Sequence, residues 1–391
     1  MKQHWTLDPD ITFLNHGSFG ATPRAILEKQ NAFRAQMERE PVRFFVRELE
    51  PLLDDARREV AQFIGADAEG LAFVPSATAG VNAVLRSLDL DKHDELLTTN
   101  HEYNASRNAL EFVAQLSGAR VVVADIPFPI ESADVAFARV LEKVTDRTRL
   151  LLIDHITSQT ALVLPVERIV RELHARGIDT LIDGAHAAGN VPLDVRAIGA
   201  AYYTGNLHKW VCAPKGAGFL WTRENRRASV RPTSISHGAN SSRTDRSRYL
   251  IEFDWTGTYD PTAYLASAES IRFLPTLVDG GWPEIMRRNR ELARKGRDIL
   301  CDQLGIAHPA PDDMLGAMAT VPLPDGNATN PPQLYGDPLQ DTLLFEHHIE
   351  VPFVPWPHPP KRVLRISAQL YNTADEYERL AKALSAHLRL T

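Results

Sequence analysis

Lys209 is the residue whose surroundings raise the first chemical question. It lies between a histidine and a tryptophan in the stretch TGNLHKWVCAPKGA (204–217), whose other side chains favour burial. An ammonium group is strongly hydrated, so its burial costs free energy unless its charge is paired or removed. Either Lys209 is an ordinary surface residue that reaches water, or its amine is bonded to something.

Asp183 ends the apolar run DTLIDGAH (179–186) and also needs a partner. A salt bridge to an arginine would explain such an aspartate taken alone. The next apolar run, however, delivers Lys209 to the same edge of the predicted sheet. Pyridoxal phosphate requires such a pair, because a lysine bonds to its aldehyde and an aspartate keeps its ring nitrogen protonated, so that the ring accepts electrons. The pair therefore predicts a pyridoxal-phosphate site.

The elements that must position these residues alternate between short apolar runs and amphipathic segments. This pattern is typical of an α/β fold, in which helices cover a mostly parallel sheet. The apolar runs are GLAFVPS (70–76), ELLTTN (95–100), ARVVVADI (119–126), RLLLIDHI (149–156), DTLIDGAH (179–186), AAYYTGN (200–206) and GFLWT (218–222). We predict a seven-stranded sheet with its site at one edge, where ligands of open α/β sheets bind.

The 391 residues suit one large domain and a smaller one. Residues 22–64 have a helical pattern, with Pro23 and Pro51 near two helix starts. After residue 282 the pattern changes to helix, proline-rich loop, strand and helix. We therefore predict three parts: an N-terminal arm near the active site (1–20), a large cofactor-binding domain (21–275) and a small α/β C-terminal domain (276–391).

The composition excludes several classes of partner. Lys and Arg number 43 against 50 Asp and Glu, a net charge of −7, so we expect no nucleic-acid partner and no membrane partner. Cys212 and Cys301 cannot form a disulfide framework, which fits a reducing compartment. The start, MKQHWTLDPD, lacks the apolar run of a signal peptide. These features predict a cytoplasmic protein, and no metal site is expected.

Eight motifs, in order over nearly the whole chain, resemble those of a known family. They are LNHGSFG (14–20), FVPSATAGVNAVLRSL (73–88), TTNHEYNA (98–105), HITSQTALVLP (155–165), DGAHAAG (183–189), TGNLHKWVCAPKGAGFL (204–220), WTGTYDPTAYLA (255–266) and LRISAQLYNT (364–373). The chain resembles the class V, fold-type I pyridoxal-phosphate enzymes and is most similar to their isopenicillin N epimerase-like branch. The resemblance answers the question about Lys209, whose amine would be bonded to the cofactor.

The resemblance also implies the other cofactor contacts. Asp183 would meet the ring nitrogen and Tyr103 would stack on the ring. The phosphate would be held by Ala77, Thr78, Asn206 and His208, and the ring hydroxyl would lie near Ser158 and His186. Thr258 would reach the phosphate of the neighbouring subunit, which implies a homodimer with the active site at the interface. Tyr103 has an ordinary alternative, as a core aromatic at a helix start.

The resemblance places the amino acid substrate against Arg365, whose planar fork would grip the carboxylate. His16 and Gly17, from the N-terminal arm, would lie near the substrate. Arg365 could instead pair with an acid of its own domain, and His16 could be an ordinary loop histidine. The loops 234–250 and 351–360 are expected to choose the substrate side chain. Three arginines of the first loop hint at a second anionic group on it or form a solvated loop: Arg243, Arg246 and Arg248.

Three reactions at the substrate remain open: epimerisation, β-elimination and transamination. Cysteine desulfurases of this class need a cysteine on the loop before the carboxylate-binding arginine, and the segment before Arg365 has none. Epimerisation would need a second acid or base, for which Tyr103 or His16 could serve. A C–S β-lyase of the ergothioneine-pathway type and a class V aminotransferase are the alternatives, while the resemblance favours an amino acid epimerase or racemase. Intact Lys209, Asp183 and Arg365 argue against a non-catalytic cofactor-binding protein.

Overall fold

A computed structural model describes residues 1–326 and 336–388 of the chain. Its strands are β1 (Thr12–Phe13), β2 (Leu71–Val74), β3 (Glu95–Thr99), β4 (Arg120–Ala124), β5 (Thr148–Asp154), β6 (Asp179–Gly184), β7 (Tyr202–Asn206), β8 (Gly218–Thr222), β9 (Met318–Leu323), β10 (Ile349–Glu350), β11 (Phe353–Pro355) and β12 (Arg362–Ser367). They form a large sheet, a small sheet and one two-stranded pair.

The helices surround these strands. The α-helices are α1 (His16–Phe19), α2 (Arg24–Arg39), α3 (Pro41–Arg43), α4 (Leu49–Phe63), α5 (Ala77–Leu85), α6 (Asn104–Ser117), α7 (Ala133–Glu142), α8 (Val166–Ala175), α9 (Val195–Ile198), α10 (Arg248–Asp254), α11 (Thr262–Phe273), α12 (Gly281–Leu304), α13 (Pro338–His347) and α14 (Ala374–His387). A π-helical turn, Phe44–Glu48, joins α3 to α4. Short 3₁₀ turns are Lys2–His4, Ala68–Gly70, Glu224–Arg226, His237–Asn240, Leu274–Leu277 and Asp312–Met314.

The large sheet has the seven predicted strands, in the order β2-β8-β7-β6-β5-β3-β4. β8 is antiparallel to both neighbours, and all the other pairs are parallel. The predicted α/β fold with a mostly parallel seven-stranded sheet is thus confirmed. Because β3, β5, β6 and β7 are parallel, their carboxyl ends meet at one edge, which is where polar side chains collect.

The strand β5 shows why the apolar runs could be recognised. Leu151 and Ile153 pack with Ile169 of α8 on one face of the sheet, and Leu150 and Leu152 pack in a separate cluster on the other. Both faces are therefore covered, so every central position of the strand favours an apolar residue.

The helical prediction for residues 22–64 holds with small shifts. Pro23 directly precedes α2, while Pro51 is the third residue of α4 rather than its first. A further proline, Pro41, begins α3. Proline fits the first turn of a helix because the N–H that it lacks has no helical acceptor there.

The small sheet is antiparallel and has the order β11-β12-β9. Helices α12 and α14 pack together, and α12 lies against β9. Gly296 of α12 allows this close approach, since a Cβ there would lie 2.7 Å from both Ile366 and Tyr377. No helix within residues 1–326 or 336–388 has the length and apolarity that crossing a membrane requires.

The N-terminal segment contacts both the small sheet and the loop of the large sheet that carries Lys209. β1 pairs with β10, and the backbone N–H of Ser367 donates to the Leu14 carbonyl over 2.9 Å. Gly20 then passes over the loop between β7 and β8 (207–217), called here the lysine loop. The φ of Gly20 is +69°, and a Cβ there would lie 2.2 Å from the His208 carbonyl oxygen. Only glycine suits both its backbone angle and this contact. The N-terminal arm thus meets the segment that carries Lys209.

Candidate active site

A cavity of about 550 Å³ opens where the N-terminal arm, the edge of the large sheet and the small sheet meet. Five predicted site residues line it: Gly17, Tyr103, Ser158, Lys209 and Arg365. Its other lining residues are Ser18, Phe19, Thr99, Asn100, Glu102, Asn104, Arg107, Gln159, Pro352, Phe353, Val354, Pro355, Trp356 and Pro357. The loop 351–360, expected to choose the side chain, therefore forms one wall.

Lys209 follows β7 and presents its amine to this cavity. The backbone N–H of Cys212 donates to the Lys209 carbonyl over 2.9 Å, which fixes the turn that carries the side chain. Burial and the positive charge of Arg365 lower the pKa of the amine to about 7, against the opposing effect of Asp183 and Asp154. A large share of the amine is therefore neutral and nucleophilic at neutral pH.

His186 holds the amine of Lys209 through its Nε2, 3.0 Å from Nζ. The indole N–H of Trp210 donates to the other ring nitrogen, Nδ1, over 3.4 Å. Burial, and next the charge of Lys209, hold the pKa of His186 well below its usual value, so the ring is neutral. Since Nδ1 accepts from Trp210, the proton lies on Nε2 and is donated to the neutral amine.

Asp183 lies near the carboxyl end of β6 and is buried. Its Oδ2 accepts from the Ser106 hydroxyl over 2.9 Å and its Oδ1 from the Ala185 backbone N–H over 3.0 Å. Burial raises the pKa of this carboxyl, while these two donors and Lys209 oppose the rise. Two further buried acids, Glu102 and Asp154, have carboxylate oxygens within 4.8 Å of it and of each other.

The four residues predicted to hold the phosphate collect at the start of α5 and the end of β7. Asn206 Oδ1 accepts from the Ala77 backbone N–H over 2.8 Å, which connects the two elements directly. Thr78 is in the first turn of α5, where N–H groups favour an anion. His208 is neutral, since burial lowers its pKa to about 4, and its Nδ1 donates to the Ala217 carbonyl over 2.9 Å.

Arg365 extends from β12 into the cavity wall and is held from two sides. Its Nη1 donates to the Ser158 carbonyl over 2.6 Å, and its Nη2 donates to the Ser18 hydroxyl over 2.7 Å. These bonds fix the plane of the guanidinium at the cavity, as a carboxylate grip would require.

His16 lies under the cavity rather than in its lining. Its Nε2 donates to the Lys209 carbonyl over 3.1 Å, and its Nδ1 accepts from the Tyr371 hydroxyl over 2.8 Å. Burial lowers the pKa of the ring to about 3, so His16 stays neutral. The substrate contact predicted for His16 finds no support in this geometry, whereas its neighbour Gly17 does line the cavity. His16 instead fixes the backbone of the lysine loop.

Thr258 and the arginine-rich loop lie away from the cavity lining. Thr258 is exposed in the turn after α10, as a residue that reaches another subunit would be. Arg243 pairs with Glu50 and Arg246 with Asp254. Arg248 pairs with Glu252. Within one chain these arginines therefore form structural ion pairs instead of facing the cavity.

Sequence reasoning missed Glu102 and Asp154, although a signal for the second was present. Asp154 ends β5 in the letters LLLID and Asp183 lies in β6 in the letters TLID, and the two are directly paired across the parallel strands. Glu102 gave no such signal, because it follows β3, and only the strand order shows that β3 neighbours β5.

The residues present fit the cofactor that the sequence predicts. Within the described part of the chain, Glu102 Oε1 and Asp154 Oδ2 are buried without a hydrogen-bond partner, next to Asp183. A protonated pyridine ring against this wall would supply the positive charge that buried carboxylates need. The neutral amine of Lys209 lies in the same cavity, at hand for the aldehyde.

Comparisons with known proteins agree with this fit. The family model described as aminotransferase class-V matches residues 20–380. The chain is 36% identical to isopenicillin N epimerase of Streptomyces clavuligerus, over 97% of this chain and 96% of that protein. It is 31% identical to a probable chloroplastic L-cysteine desulfhydrase of Arabidopsis thaliana, over 98% and 84%.

A solved structure shows the same fold. It is that of a C-DES mutant with glycine covalently linked to the PLP cofactor, with a TM-score of 0.79 and 21% identity, covering 98% of this chain and 99% of that one. The family match extends over most of the chain and includes Lys209, Asp183 and Arg365. The protein is therefore an enzyme of the aminotransferase class-V family, and its cofactor is pyridoxal phosphate.

Proposed function

We propose that this enzyme inverts the α-carbon of an amino acid substrate, as an epimerase or racemase similar to isopenicillin N epimerase. The observation that carries the proposal is the amine of Lys209, which opens with a lowered pKa into the same cavity as Arg365. The 36% identity to the Streptomyces clavuligerus epimerase over nearly the full length of both chains supports the choice of reaction.

The cofactor supplies a ring that accepts electrons when a bond at the α-carbon breaks. Asp183 is proposed to face the ring nitrogen and Tyr103 the flat side of the ring. The ring hydroxyl would lie near His186 and Ser158. The phosphate would be held by Ala77, Thr78, Asn206 and His208. Contacts near Lys209 support this assignment. His186 bonds to its amine, and Tyr103 and Ser158 line its cavity. Asn206, which bonds to the Ala77 N–H, ends the strand that precedes Lys209.

Arg365 is proposed to hold the α-carboxylate. A fixed carboxylate would orient the Cα–H bond towards the amine of Lys209. Lys209, whose amine is partly neutral near pH 7, would take the proton on its own face. The turn that His16 fixes would keep the lysine aligned for this transfer.

Inversion needs a second acid on the opposite face, and the cavity favours Tyr103 over His16. Tyr103 lines the cavity and is 39% exposed. His16 is fully buried and engaged on both nitrogens. The α-carbon would accept its new proton from the Tyr103 hydroxyl, which would regain one from solvent, while Lys209 would release to solvent the proton that it took.

A C–S β-lyase is the second candidate, because the chain is 31% identical to the Arabidopsis desulfhydrase. Such a lyase needs Lys209 and Arg365 in the same roles but no second acid on the opposite face. A persulfide route has little support, since burial holds the pKa of Cys212 at about 12 and Cys301 is also buried. Transamination is a third outcome and would leave the cavity geometry unchanged.

The active site is proposed to be completed by a second subunit, to which Thr258 would contribute its hydroxyl. Thr258 follows Trp255, whose ring meets that of Phe45 at 5.7 Å. Val42 and Val46, on the same segment as Phe45, are 71% and 72% exposed. Exposed apolar side chains beside the turn that holds Thr258 support an interface there.

The reaction is tested by incubating the holoenzyme with single amino acids in deuterated water. We expect a responsive amino acid to exchange its α-proton and to become racemic with its side chain intact. Tyr103→Phe should keep the exchange on one face and lose the inversion. Release of pyruvate, ammonia and a thiol from a cysteine conjugate without inversion would instead establish the lyase, and a keto acid product would establish transamination.

A further inference from the structure

Three neighbouring parallel strands deliver three carboxyl groups to one place, called here the carboxyl triad: Glu102, Asp154 and Asp183. Asp154 and Asp183 are paired across β5 and β6. Glu102 comes from the turn after β3, which neighbours β5 on its other side. One oxygen of each lies within 4.8 Å of the others, and all three side chains are at most 5% exposed.

The three carboxyls differ in their hydrogen bonds. Asp183 accepts from the Ser106 hydroxyl and from the Ala185 N–H, two donors that stabilise its ionised form. Glu102 accepts from the Thr98 hydroxyl at Oε2 over 3.3 Å, and the Tyr103 backbone N–H stabilises the ionised forms of Glu102 and Asp154. The second oxygen of each acid, Glu102 Oε1 and Asp154 Oδ2, has no hydrogen-bond partner within residues 1–326 and 336–388. Glu102 and Asp154 are thus buried beside a third acid, and each has an oxygen that lacks a donor. A proton held between Glu102 and Asp154 would supply such a donor.

Nearby charges only partly offset the cost of burying three carboxylates together. Lys209 favours ionisation of Asp154 and Asp183, and Arg107 favours that of Glu102. Burial and mutual repulsion act more strongly and raise the pKa of Glu102 and of Asp154 well above their usual values. On the other side of Asp183, Tyr203 remains a neutral phenol.

The histidine behind Tyr203 also contributes no charge. His155 bonds to the Tyr203 hydroxyl at 2.8 Å, and burial lowers its pKa to about 4. The neighbours therefore do not supply enough positive charge for three carboxylates.

We propose that Glu102 and Asp154 share one proton, and that this leaves Asp183 as the single carboxylate that faces the ring nitrogen of the cofactor. A carboxyl–carboxylate hydrogen bond would give the acceptor oxygen its missing donor. The positive ring would then meet one full negative charge, well oriented by Ser106 and Ala185. The shared proton does not depend on the proposed function. Only the second part of the proposal, in which Asp183 faces the cofactor, rests on it.

The proton is tested by infrared spectra of the full-length holoenzyme at pH 7.5, where a protonated carboxyl has its own C=O band. We expect the wild type to show a band that corresponds to one proton at the triad. Glu102→Gln should abolish it, Asp154→Asn should also abolish it, and the double variant should remove nothing further. Glu95→Gln is the matched control, since Glu95 is a buried acid paired with Arg120 and should leave the band intact.

Two results would overturn the proposal. If neither amide changes the band, both acids are ionised. If each single variant removes one proton and the double removes two, the protons are independent rather than shared. Should an amide variant fail to fold, titration of the wild type decides the matter, because the band must persist from pH 6 to pH 8 if the proton is held there.

The cofactor half of the proposal is judged separately. Asp183→Asn should keep the shared proton band, because its loss removes a repelling charge and not the pair. It should also lower the pKa at which the ring nitrogen of the bound cofactor titrates, followed by visible absorbance. A band that behaves as expected together with an unchanged cofactor titration would retain the shared proton and refute the role of Asp183.

Discussion

The amine of Lys209 lies 3.0 Å from Nε2 of His186, and burial, together with the nearby positive charge of Arg365, lowers the pKa of this amine to about 7. A base with a lowered pKa loses its proton at lower pH, so the neutral form of Lys209 should increase as pH rises through about 7. We expect the rate at which cofactor-free enzyme bonds to pyridoxal phosphate to rise with that midpoint.

Arg365→Gln should move this midpoint to higher pH, because it removes a charge that opposes protonation of Lys209. Arg107→Gln, which changes another arginine of the cavity wall, serves as the control and should have a smaller effect. Stopped-flow absorbance between pH 6 and pH 10 measures both. A midpoint near that of a free lysine in the wild type would show that the amine is solvated and ordinary.

Asp183→Asn should retain the fold and slow α-proton removal by orders of magnitude, because a neutral ring accepts electrons poorly. Circular dichroism checks the fold, and exchange with deuterated water measures the rate. Asp179→Asn, at the other end of β6, is the control, because Asp179 pairs with Arg223 and Arg226 away from the cavity. Near-normal exchange in folded Asp183→Asn enzyme would mean that the aspartate serves another purpose.

Arg365→Lys should reduce kcat/KM by roughly 30-fold, the equivalent of about 2 kcal/mol for the loss of charge-assisted hydrogen bonds. A lysine cannot bond to the Ser158 carbonyl and the Ser18 hydroxyl and also present two parallel donors to a carboxylate. Steady-state kinetics with a responsive amino acid measure the loss. Ser18→Ala removes one of the two anchors and should cost less. Equal kinetics for the wild type and Arg365→Lys would show that Arg365 does not bind the substrate carboxylate through two parallel hydrogen bonds.

The large sheet could be predicted from sequence because its strands are buried on both faces. In β5, for example, Leu150 to Ile153 are fully buried and form a continuous apolar run. Lys209 and Asp183 could be singled out from sequence because Asp183 ends one such run and Lys209 follows another, where a charged side chain needs a partner. The limits of the three proposed domains, at residues 20 and 275, stay a prediction.

Contacts between distant parts of the chain could not be predicted in the same way. His16 looks like a loop histidine until Tyr371, 355 residues later, is seen to bond to it. Glu102 joins Asp154 only because β3 and β5 are neighbours, although β4 lies between them in sequence. Such contacts depend on strand order and on how the N-terminal arm packs, and no local pattern encodes either.

Thr258 should act across a dimer interface. Mixing inactive Lys209→Ala chains with inactive Thr258→Val chains, under conditions that exchange subunits, should restore part of the activity, because one of the two sites in a mixed dimer would have both residues. Sedimentation gives the assembly state, and a mixture of two Lys209→Ala preparations is the control. A monomer in solution, or no recovery after proven exchange, would refute the shared site.

Borohydride reduction of the yellow holoenzyme followed by peptide mass mapping identifies the lysine that bonds to the cofactor. We predict that the cofactor becomes covalently fixed on Lys209 alone, and that Lys209→Ala takes up no label in parallel and shows no turnover. Lys215 is the informative comparison, since it belongs to the same segment and burial lowers its pKa as well. A label on Lys215, or no label on Lys209, would show that Lys209 is not the residue that bonds to the cofactor.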